Sequence, residues 1–421
     1  MSSWVNIEMD SLSDFGCFAY YFNSLVLYTG IEPLLFMHYP LVNIVLVLLE
    51  GGLSLLAAKL LLRTIDLHFS EVVGEEGRER LLEAPPEKFS SILNWPALLQ
   101  RCLPFTWWGD TLYVVLLVCI VIALVQYLLQ NGFIFYIMYG DMFGWGGLFV
   151  LFGAGILMGS SLSLQTMEGV QMGCVLLNVV CQILHNITYQ APESISEIYA
   201  ALYNPYRLSN HLVIPSILAA SRAPLKRHMA LITWAVFIVL AIGLPSNLFI
   251  GFSESIVHAA WKVQKLTFLS VLFSSSHIYM RTLVNTVIAW RYGLNSIMAR
   301  RTYPLRIKAV QILLPLLIYL PLFAYINYVR PSSIFPFAAS LVWSLMYFII
   351  PYCYSWTVQQ MGEGVVGRTS VWWTYSLYAA CLYSLTKAIF LGYDSDIMWD
   401  ASFIGGIFSL MVVWQIIGYF S

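Results

Sequence analysis

The chain has 421 residues, 59% of them hydrophobic and only 10% charged, with a net charge of −1 and a mean hydropathy of +0.75. A soluble domain carries about 25% charged residues, and a soluble chain this apolar would expose patches large enough to aggregate. Composition therefore excludes an ordinary soluble enzyme and, without a basic excess, a nucleic-acid-binding surface; it implies an all-α polytopic membrane protein whose first partner is the lipid bilayer.

The N-terminal stretch "MSSWVNIEMDSLSDFG" is polar and acidic, unlike a cleavable signal peptide, so the first apolar helix is expected to direct insertion. A spanning helix needs about 20 apolar residues. Candidate spans fall near 17–37, 40–62, 111–131, 133–158, 170–189, 229–251, 267–290, 307–328, 334–357, 371–392 and 402–420. Nine to eleven of these, several kinked or broken, make residues 1–421 a single multi-pass domain. The first is interrupted by Gly30, Glu32 and Pro33, and the fourth holds Asp141. Pro245, Pro315, Pro321 and Pro351 mark further breaks or kinks.

Three polar connections separate the spans. Residues 63–110 read as an exposed loop with an amphipathic helix that Pro85 and Pro86 stop. Residues 190–228 form a second polar connection, in which 211–221 is too short to span and fits a re-entrant or interfacial piece. Residues 291–308 carry Arg291, Arg300, Arg301, Arg306 and Lys308 without an acid. Basic residues in short loops stay cytoplasmic, so 291–308 is expected inside, with 222–228, the 63–110 loop and the C-terminus on the same side. The membrane itself, endoplasmic reticulum, another internal membrane or the plasma membrane, is not legible. Asn186-Ile187-Thr188 is a glycosylation sequon at the edge of a span.

The seven cysteines are scattered, form no C-x-x-C, and read as small buried hydrophobes. No metal-ligand spacing, nucleophile elbow or phosphate-binding loop occurs, and no cofactor is expected.

The most informative stretch is "FSSSHIYMRTLVN", 273–285. At 100° per residue Ser270, Ser274, His277, Arg281 and Asn285 fall within an arc of roughly 60–80°. Thr267 joins them, and the face bearing Leu272, Tyr279 and Leu283 is apolar or aromatic. A charge at mid-membrane depth costs about 2.5–3.5 kcal/mol even on insertion-derived scales, so the stripe must face protein, water or a ligand. These five residues, with Glu50 as an expected partner of Arg281, form the candidate binding site; Asp141 competes for that partnership. Gly147, Gly155, Gly159 and Ser163 form a small-residue face suited to tight helix packing.

Three functions fit. One is a transporter or channel-like protein that handles a polar or anionic solute at this intramembrane site. Another is a non-catalytic subunit, scaffold or receptor that associates with other membrane subunits. The third, least favoured, is a lipid-modifying enzyme with His277 as general base.

Overall fold

The computed structural model describes residues 12–26, 48–49, 51–67, 95–102, 162–188, 211–221, 223–246, 254–292, 304–328, 334–361 and 372–382. Glu50, Asp141, the spans at 111–131, 133–158 and 402–420, and most of the 63–110 loop lie outside them. Within them the chain is helical: α1 (Asp14–Val26), α2 (Trp95–Cys102), α3 (Glu168–Thr188), α4 (Ile214–Ala219), α5 (Leu225–Ser246), α6 (Glu254–Tyr292), α7 (Pro304–Tyr328) and α8 (Ile334–Met361). Residues 51–67 and 372–382 are helical as well. The sole extended pairing among the described residues is one parallel bridge between Leu12 and Ser221.

The helix limits follow local chemistry. Ser13 caps α1, its hydroxyl accepting the Gly16 N–H at 3.1 Å. Ahead of α3 the Ser163 hydroxyl accepts the Thr166 N–H at 3.1 Å and organises the turn from which the helix starts. α5 is described as far as Ser246 and includes Pro245. Likewise, α7 continues through Pro315 and Pro321, and α8 through Pro351. A proline removes one helical hydrogen bond without ending a membrane helix when neighbours satisfy the freed group.

α6 is the longest element, 39 residues and so about 58 Å by helical rise, and exceeds the expected span of 267–290 at both ends. It packs against α3, α1 and α7, while α1 also packs against α3 and α5. The face of α6 opposite the polar stripe is not free: Tyr279, Leu283 and Val287 are buried in the common core. Both sides of the helix are enclosed, which makes it the axis of the described bundle. The short 211–221 segment is likewise buried against the protein. His211, Val213, Ile214 and Ile217 are at 0% exposure, and Leu12 N–H pairs with the Ala220 carbonyl at 2.9 Å.

α3 shows what solvent this fold is built for. Its inner stripe is Gln171, Cys174, Asn178, Cys181 and Gln182, all buried, while Leu176 is 73% exposed and Met172, Leu177, Val180 and Ile183 are exposed beside it. Polar side chains turn inward and aliphatic ones outward, the reverse of a helix on a water-soluble core. α5 repeats the outward pattern with Trp234 and Phe237, and α7 with Leu313 and Leu317. Leu225–Ile242 of α5 is long and apolar enough to cross a membrane on its own. The described helices thus turn an apolar exterior outward, the arrangement suited to acyl chains as solvent.

Candidate functional site

The polar stripe of α6 does meet polar groups, and they come from α1 and α3. Asn23 donates through Nδ2 to the Gln171 carbonyl (3.0 Å) and to Gln171 Oε1 (2.7 Å). Gln171 Nε2 donates to the Ser274 carbonyl at 2.9 Å and reaches His277 Nδ1 at 3.4 Å. Asn178 Nδ2 donates to Asn23 Oδ1 (2.8 Å) and to Ser274 Oγ (3.1 Å). Ser270 donates to Asn178 Oδ1 at 2.5 Å. Asn23, Gln171, Asn178, Ser274 and His277 are all at 0% exposure. The result is a continuous polar seam between three helices, in which each amide uses both its donor and its acceptor ends.

The seam extends to the turn before α3. His277 Nε2 lies 3.3 Å from the Leu162 carbonyl, and Tyr20 donates its hydroxyl to the Leu164 carbonyl at 2.6 Å. A carbonyl only accepts and the Gln171 amide nitrogen only donates, so His277 carries its proton on Nε2 and accepts on Nδ1. Below this turn Glu168, the first residue of α3, accepts from the Ser13 hydroxyl and, at 3.3 Å, from the Ser13 N–H. That contact ties the cap of α1 to the N-terminus of α3, where the helix dipole favours a carboxylate.

Of the residues the sequence singles out, Ser270, Ser274 and His277 belong to the seam and Thr267 is buried beside it. Arg281 is 5% exposed and lies one turn beyond His277 on the same face. Asn285 is half-buried at the far end of the stripe, beyond the seam. Glu50 lies outside the described residues. Sequence reasoning missed Asn23, Gln171 and Asn178. Gln171 and Asn178 are two turns apart on one face of an apolar segment, a signal that was present.

A second, smaller polar contact joins α1 to α5. Tyr21 and His228 Nδ1 are 2.9 Å apart in a buried, edge-on pair, and Arg227 Nε bonds Asp14 Oδ2 at 2.8 Å on the surface above them. Among the described residues no group of three or more His, Cys, Asp or Glu side chains is placed to hold a metal ion.

No family model and no curated protein matches the chain. Solved structures do. The manganese transporter of Eremococcus coleocola, in complex with an aromatic bis-isothiourea substituted compound, superposes with a TM-score of 0.53 at 10% identity, covering 99% of both chains. A mutant of the same transporter gives 0.49 at 11% identity over 97% of this chain and 94% of the other. The first likeness is one of fold over the whole length: the chain shares the helical fold of that transporter.

Proposed function

We propose that the protein is a multi-pass transporter that moves a small polar or anionic solute through the α1–α3–α6 seam. The observation that carries this reading is Arg281, buried on the stripe with His277 and adjoining a seam of amides and hydroxyls inside a transporter fold. Fold likeness alone does not specify a solute. The local chemistry chooses between charges. A guanidinium beside His277 repels a divalent cation and attracts an anion, and the surrounding amides and hydroxyls supply donors as well as acceptors. Manganese, the solute named for the structural relative, does not carry over to this chain at 10% identity.

Orientation follows from basic residues and one contact. Cys102 Sγ of α2 lies 3.8 Å from Thr357 Oγ1 of α8. This contact supports a common membrane face for the 63–110 connection and the end of α8. The charge bias of 291–308 supports a cytoplasmic reading of that face and of the C-terminus.

Proteoliposomes test the function directly. Uptake of labelled inorganic phosphate and of small mono- and dicarboxylates is measured beside uptake of Mn²⁺. The expected result is saturable anion uptake that falls at least tenfold in Arg281→Gln, which keeps hydrogen-bond donors but removes the charge. Uptake of Mn²⁺ without any anion flux would overturn the assignment.

The closed hydrogen bonding of the seam supports a second reading, that of a scaffold whose polar helices are locked by packing. This reading expects no flux of any solute and a stoichiometric partner on purification.

A further inference from the structure

Lys59 is an exposed cation that follows the apolar run Leu55–Ala58 in the helical segment 51–67. Its ammonium sits 4.0 Å from the ring centroid of Trp373, on the helical segment 372–382. Among the described residues no carboxylate pairs with it. Lys59 lies in the last turn of the expected span 40–62, and Trp373 in the first turn of 371–392. Both thus stand at a span end, the level at which headgroups, indoles and long basic side chains collect. Trp372 is 75% exposed and Tyr375 64% exposed on the same segment, so the aromatic end faces outward rather than into the bundle.

The surface running from Lys59 toward mid-membrane is open. Gly52 lies two turns away on the same face, is exposed, and has nothing within 4 Å of where a Cβ would be. Leu48 and Leu49 beyond it are 50% and 55% exposed. A cation held by an indole thus crowns an apolar strip made shallow by glycine. A phosphate followed by an acyl chain has the matching order of charge and apolarity.

We propose that Lys59 and Trp373 bind the phosphate of one anionic phospholipid, whose acyl chain lies along Gly52 and Leu48. The indole face orients the ammonium, and Trp372 and Tyr375 flank the headgroup. Arg63, one turn beyond Lys59, is half-buried and Asp66 lies further along the same side; neither is needed for the contact. This site is independent of the solute that the seam handles.

Native mass spectrometry of the full chain, released from nanodiscs of mixed phosphatidylglycerol and phosphatidylcholine, tests the proposal. The expected result is one retained phosphatidylglycerol in preference to phosphatidylcholine. Lys59→Met, which keeps the apolar stem, should lower that retention about fivefold, the effect of one interfacial basic residue. Lys59→Arg should restore it, which excludes misfolding as the cause. Equal retention of the two lipids, or unchanged retention in Lys59→Met, would overturn the site. Displacement of the lipid by millimolar inorganic phosphate would overturn the lipid assignment in favour of a free anion.

Discussion

At Gly16 a single hydrogen atom decides how two helices meet. A Cβ there would lie 2.5–2.7 Å from the carboxyl end of Glu168, the side chain that accepts from Ser13. Glu168 is flexible enough to move aside, so Gly16→Ala does not create an immovable clash. It does push the carboxylate off the α1 cap. Two effects then oppose each other. Replacing a helical glycine by alanine gains up to about 1 kcal/mol in helix propensity. Losing hydrogen bonds to a charged acceptor costs about 1.5–3 kcal/mol. Gly16→Ala is expected to destabilise by about 1 kcal/mol, measured by unfolding in mixed micelles. Glu168→Gln, which keeps an acceptor without charge, should fall between wild type and Gly16→Ala. A stabilised Gly16→Ala would show that the Ser13–Glu168 contact contributes nothing. The Arg227–Asp14 pair is a contrast. Both side chains are about half exposed, and removing either should change stability by less than about 1 kcal/mol, since water screens the pair.

At the scale of elements, the seam sets how α1, α3 and α6 sit together. Lipid supplies no hydrophobic drive between helices, so buried amides and close packing must hold them. Membrane hydrogen bonds measured in cycles average about 0.6 kcal/mol and reach about 1.7, because the separated helices find other partners. The Asn23–Asn178 bond belongs near the upper end. Both residues are fully buried, and each is held by a further partner, Gln171 for Asn23 and Ser274 for Asn178. A double-mutant cycle of Asn23→Ala and Asn178→Ala should give a coupling of about 1–2 kcal/mol. Gln171→Leu should destabilise more than either single alanine. It removes in one step the side-chain acceptor of Asn23 and the amide donor that reaches the Ser274 carbonyl and His277 Nδ1, while Asn23 keeps the backbone carbonyl of residue 171 and Asn178. A coupling near zero would mean that the amides are solvated in the resting protein, and that the seam is a wet cavity rather than a dry joint. The stripe on α6 was legible in the sequence because five polar residues share one helical face. Its partners were harder to read: Gln171 and Asn178 share one face of α3, but Asn23 is a single amide in an apolar run. Periodicity places a residue on a face but does not say which helix that face meets. The same limit explains Tyr279: its ring reads as part of an apolar face, yet its hydroxyl donates to the Ser24 carbonyl at 3.2 Å.

At the scale of the molecule, the membrane class was legible because composition alone excludes water as the solvent for so much apolar surface. The apolar runs 170–189 and 307–328 were legible as helices and agree closely with Glu168–Thr188 and Pro304–Tyr328. Helix limits failed where a helix outruns its apolar stretch, as at exposed Lys262, across which α6 continues well before residue 267. Hydropathy marks where lipid ends, whereas backbone hydrogen bonds carry a helix on into a polar layer. Orientation is the molecular property that charge predicts and contact constrains. Three connections, 63–110, 222–228 and 291–308, should share one face, with Asp394, Asp396 and Asp400 on the other. The α2–α8 contact makes this more than charge counting, because moving 63–110 to the other face would carry Cys102 across the bilayer from Thr357. On a background with the native cysteines replaced, Ser296→Cys and Asp396→Cys are expected to react with a membrane-impermeant maleimide from opposite sides of sealed vesicles. A cysteine placed in 75–80 should follow Ser296→Cys. If it follows Asp396→Cys instead, the charge bias of 291–308 does not extend to the N-terminal half, and the packing of α2 against α8 cannot hold in the membrane.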